Sequence, residues 1–67
     1  MTNTTRLKEV VKESGLKKVF IADKLGISYQ SYQKKESGKT EFLATEVSIM
    51  KTLLHLSTKD VTEIFLS

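Results

Sequence analysis

Apolar residues recur at helical spacing through five stretches of the chain, and no stretch shows the two-residue alternation of a strand. Leu7, Val10 and Val11 predict a first helix over about Thr5 to Ser14, ended by Gly15 in the left-handed conformation. Ile21, Ala22 and Leu25 share one face of a second helix, about Lys18 to Leu25, which Gly26 interrupts. Ser28 suits the N-cap of a third helix, because its hydroxyl accepts an amide of the first turn; Gly38 stops that helix after about Ser37. Val47, Met50 and Leu54, widened by Ile49, Leu53 and Leu56, predict a centrally buried fourth helix over about Ala44 to His55. Ser57-Thr58-Lys59-Asp60 reads as a capping box that opens a fifth helix carrying Val61, Ile64 and Phe65. The expected fold is all-α, five helices in a single domain over residues 1–67.

The stretch from Lys18 to Lys35 carries the functional signal. Two short helices that cross steeply need a small residue at their closest approach, and Ala22 supplies it. The turn needs a residue that tolerates positive φ, and Gly26 supplies that. Ile21, Leu25, Ile27 and Tyr32 are placed to fill the angle between the helices. This geometry pushes the start of the second helix of the pair outward, where it can enter a DNA major groove.

These residues resemble the helix-turn-helix of the lambdoid phage repressor and Cro family, over nearly the whole chain. Glu36-Ser37-Gly38-Lys39 is similar to that family's frequent Glu-Asn-Gly-Lys ending, and the Gly-Lys-Thr-Glu-Phe run at 38–42 resembles short Cro-like prophage regulators. The resemblance implies a lambda-repressor-like DNA-binding domain and a sequence-specific regulator, acting as a repressor on a palindromic operator in double-stranded DNA as a homodimer. It matches Tyr29, Gln30 and Lys34 to the family's main base-reading positions, with Gln33 a weaker candidate. The side chains suit that work, since glutamine pairs bidentately with adenine and lysine donates to guanine. Lys17 and Lys18 open the second helix where a phosphate would offset their conflict with the helix dipole. Ser37, Lys39 and Thr40 match backbone contacts in the loop beyond. Two residues depart from the pattern. Lys35 stands where an apolar residue is common, so either the end of the third helix is weakly anchored or Lys35 lays its stem on the core and points its charge outward. Phe20 occupies a usually polar position and is expected against Tyr32 or a neighbouring chain.

Composition narrows the alternatives. The chain has 67 residues and no cysteine, which removes disulfides and thiolate metal sites. His55 is the only histidine, set near the end of the fourth helix away from any acidic cluster. With no Gly-rich phosphate loop and no paired carboxylates, the expectation is no enzyme activity, no metal, no cofactor and no small-molecule ligand. No long apolar run predicts a membrane span, and the polar start lacks a signal peptide's pattern, so a bacterial cytoplasmic, nucleoid-associated location is expected. The net charge is +3, but its distribution is uneven: +1 over residues 1–16, +4 over 17–40 and −2 over 41–67. A basic middle beside an acidic tail suggests one face made for a polyanion.

The tail Val61-Thr62-Glu63-Ile64-Phe65-Leu66 holds more apolar surface than a terminal helix needs. It either closes the small core or contributes, with Leu56 or Phe42, to a two-fold dimer contact. A second functional class is a protein-interaction module that binds a repressor or toxin rather than DNA. Exposed Phe20 and the apolar residues Phe42, Leu56, Phe65 and Leu66 motivate it.

Overall fold

Asn3 sets the start of the first helix, because its side chain accepts the Arg6 amide at 3.1 Å and leaves Thr4 inside the first turn. The computed structural model describes residues 1–66. Among them are five α-helices and no strand: α1 (Thr4–Ser14), α2 (Lys18–Leu25), α3 (Tyr29–Glu36), α4 (Ala44–Leu53) and α5 (Thr58–Phe65). The expected caps at Ser28 and Ser57 form. Ser28 Oγ accepts the Ser31 amide, and Ser57 and Asp60 cap each other reciprocally at 3.0 Å in both directions. The amide of Ser57 holds the Asp60 carboxyl below its ordinary range.

α2, α3 and α4 end in one way. At Gly26 (φ 72°), the Gly26 amide donates to Asp23 and the Ile27 amide to Ala22, which closes the helix end and folds Ile27 back toward the core. The same pair of bonds, Gly38 to Lys35 and Lys39 to Lys34, closes α3. α4 uses His55 in the left-handed position at φ 55°, with His55 bonded to Thr52 and Leu56 to Lys51. That is why α4 stops at Leu53 rather than at His55. His55 itself is exposed.

α2 packs on both α3 and α4, while α1 packs on α3 and α5. The core gathers Leu7, Val10 and Val11 of α1, Ile21, Ala22 and Leu25 of α2, Tyr32 of α3, Met50 of α4, Leu54 and Leu56 beyond it, and Ile64 and Phe65 of α5. The Asn3 amide donates to the Ile64 carbonyl at 2.6 Å, fastening the N-terminal segment to α5.

Several expectations change here. The apolar stripe of α4 is narrower than its sequence suggests: Met50 is fully buried, Val47 and Leu53 only partly, and Ile49 is exposed. Leu56 and Phe65 are core residues, and Phe42 lies edge-on between Tyr32 (6.3 Å) and Phe65 (5.2 Å). The tail therefore closes this chain's own core, and of the apolar tail residues only Leu66 stays largely exposed. Among the described residues Phe20 makes no ring pair with Tyr32, whose ring meets Phe42 edge-on instead. Phe20 lies exposed on α2 with the Lys24 ammonium 5.3 Å above its ring. No helix among the described residues is long and apolar enough to cross a membrane.

Candidate functional site

The turn Gly26-Ile27-Ser28 joins α2 to α3, and the packing of α3 on α2 and α1 leaves one of its sides facing inward. Tyr32 and Glu36, one turn apart, point into the protein at 0% and 4% exposure. The opposite side then presents Tyr29, Gln30, Gln33 and Lys34, all exposed. That outward face carries amides, a phenol and an ammonium but no carboxylate, because the only acid of α3 is Glu36. Gln33 Nε2 donates to the Tyr29 hydroxyl at 2.9 Å, so the expected weaker candidate is held in place by one of the stronger ones.

Both flanks of the C-terminal half of α3 are clamped. Glu36 accepts from the Lys18 ammonium of α2 and from the Tyr32 hydroxyl, each at 2.8 Å. Burial, with the Glu36 carboxylate beside it, pushes the Tyr32 phenol far above its ordinary range. The neighbouring Lys35 turns the other way. Its ammonium lies 2.8 Å from Glu46 of α4 and 3.1 Å from the Glu41 carbonyl, and 6.0 Å from the centre of the Phe42 ring. Glu46 also accepts the Leu43 amide at 2.8 Å, which caps α4. Lys35 thus does not send its charge outward, because the nearly buried carboxylate of Glu46 receives it. No buried side-chain nitrogen or oxygen among the described residues lacks a partner.

The residues expected on phosphate divide. Ser37 and Lys39 line an open cleft beside the outward face of α3, together with Gln30, Gln33 and Lys34. Lys18 lines it as well, but its charge is engaged by Glu36. Lys17 is exposed on extended backbone ahead of α2, and Thr40 is exposed beyond Lys39; neither lines the cleft. Ile21, Ala22, Leu25 and Tyr32 are buried and Ile27 is half-buried.

Two contributions to the cleft are not evident along the chain. Lys8 of α1 reaches the same cleft, and Glu36 forms its only acidic wall. The pattern of α1 shows Lys8 to be solvent-facing, but only the packing of α1 on α3 shows what it faces. No group of three or more potential metal-ligating side chains occurs among the described residues. No known protein family, curated protein or solved structure matches this chain.

Proposed function

We propose that this chain is a sequence-specific DNA-binding transcriptional regulator of the Cro-like helix-turn-helix kind, with α3 as the helix that enters the major groove. The observation that carries this reading is the outward face of α3. Tyr29, Gln30, Gln33 and Lys34 stand together without a carboxylate, on a helix anchored at both flanks, beside a cleft rich in lysine. Amide and ammonium groups in that arrangement match the donor and acceptor pattern of base edges, and the flanking cations match phosphates. Two copies of the chain would read two half-sites about one helical turn apart, which makes the operator palindromic. The chain acts by occupying DNA and has no catalytic role.

In vitro selection of bound duplexes from a random library tests this directly. The selected duplex should bind roughly a thousandfold or more tighter than random DNA, and Gln30→Ala should lose about 1–3 kcal/mol of discrimination at one base pair. Equal affinity for selected and random duplexes would overturn the reading.

A protein-interaction role is favoured by a different observation. Phe20 is 41% exposed under Lys24, and Lys24 borders a recess between α2 and α4 lined by Ser48, Ile49, Thr52 and Leu53. A partner seated there would stay bound at high salt and be released by Phe20→Ala. Retention of the partner by that variant would remove this reading.

A further inference from the structure

We propose that Lys8 of α1 is a DNA-backbone contact, so that a phosphodiester strand runs through the cleft between α1 and the end of α3. This rests on the DNA-binding reading above and extends it to a helix outside the α2–turn–α3 unit.

Three observations place Lys8 there. First, α1 packs on α3, and the start of α1 meets the turn after α3 closely: a Cβ added at Gly38 would lie 3.3 Å from the Thr4 side-chain methyl. Second, Lys8 lies one helical turn beyond Thr4 and so on the same side of α1, while Leu7, Val10 and Val11 face the core. Third, Lys8 lines the cleft with Lys34 and Lys39, and none of the three makes an ion pair among the described residues.

The charge of the cleft follows. Its single carboxylate, Glu36, is 4% exposed and already held by Lys18 and Tyr32. What remains facing solvent is cationic, drawn from α1, from α3 and from the turn beyond it. Cations drawn from three segments of the chain around an open cleft, rather than from the walls of a closed pocket, fit a strand that continues past both ends better than one compact anion. The same cleft is bordered by Gln30 and Gln33, so a duplex that admits α3 to its groove brings a phosphate backbone alongside. Unpaired ammonium groups there gain from displacing the counterions of such a strand.

Fluorescence anisotropy on the selected duplex and on random duplex, over a salt series, tests the assignment. Lys8→Ala should weaken binding to both duplexes by the same factor and reduce the log-affinity against log-salt slope by about 0.9. Lys8→Arg should keep both values, and Lys59→Ala, on α5 outside the cleft, should leave the slope unchanged. Lys8 is exposed, so unchanged circular dichroism and melting of the variants will exclude misfolding. If the wild type discriminates the selected duplex while Lys8→Ala retains its affinity and slope, the inference is overturned and the DNA-binding reading stands. If the wild type discriminates no duplex, both fall together. Pyrophosphate titrated alone should bind far more weakly than duplex; saturation of the Lys8 resonances by pyrophosphate at duplex-like concentrations would identify a compact-anion site and overturn the strand assignment.

Discussion

The ammonium of Lys35 lies 2.8 Å from the carboxylate of Glu46, with the two side chains only 13% and 7% exposed. Lys35 and its neighbour Glu36 therefore point into opposite flanks of the protein, one bound to α4 and the other to α2. Consecutive residues of opposite charge tie α3 to α2 on one flank and to α4 on the other. That arrangement holds the outward face of α3 at a defined angle without a long apolar stripe.

Removing one partner of this pair strands the other in the interior. Lys35→Ala should destabilise the fold by about 3–5 kcal/mol, a large share of the stability of so small a chain. The double variant Lys35→Met with Glu46→Gln should recover most of that loss, because glutamine still accepts the Leu43 amide. Urea melts of the single and double variants decide it; equal losses in both would remove the ion pair as the cause.

Tyr32 brings alkaline sensitivity. Burial and the Glu36 carboxylate raise its phenol pKa in the folded state. A raised folded pKa contributes stability that is complete below the unfolded value, about 10, and is lost as pH rises beyond it. Between that point and the folded pKa, the expected decline is about 1.4 kcal/mol per pH unit. Tyr32→Phe should abolish this decline and lower stability at neutral pH by about 1.5–3 kcal/mol, the value of a hydrogen bond to a charged acceptor. Melting followed from pH 8 upward, with exposed Tyr29→Phe as the control, checks both effects.

His55 holds a left-handed conformation that a side chain disfavours, at the closure of α4. His55→Gly should stabilise the chain by about 1 kcal/mol and raise Tm by roughly 4–8 °C. A lower Tm would show that the imidazole makes a compensating contact.

Tyr29 and Gln33 should act as one recognition element, since the amide of one is oriented by the hydroxyl of the other. Tyr29→Phe and Gln33→Ala should then alter preference at the same base pair, with a coupling of about 0.5 kcal/mol or more in a double-mutant cycle. Binding competitions on duplexes changed one base pair at a time provide the measurement, and additive effects at different base pairs would separate the two residues.

Much of the fold was legible because its signals are local. Ser28 and Ser57 cap within three residues of themselves, and Gly15, Gly26 and Gly38 mark the ends of α1, α2 and α3. The apolar pattern runs on past the end of α4 because that end rests on His55, a residue type that does not announce a left-handed turn. Its stripe is narrower than the pattern implies because the periodicity of Ile49 alone cannot show that no neighbouring helix covers it. At the site, the exposed residues of α3 follow from helical spacing once Tyr32 is known to face inward.

Local signals along the chain place the five helices apart from the end of α4, show which residues α3 turns outward and mark the middle of the chain as basic. Capping, periodicity and local charge act over a few residues, so they can be read along the chain. Where the charges go depends on how the helices pack. Lys18 meets Glu36 across 18 positions and Lys35 meets Glu46 across 11, while Lys8 joins Lys34 and Lys39 through the packing of α1 on α3. Partners that distant along the chain depend on how rigid helices stack, which no local pattern encodes.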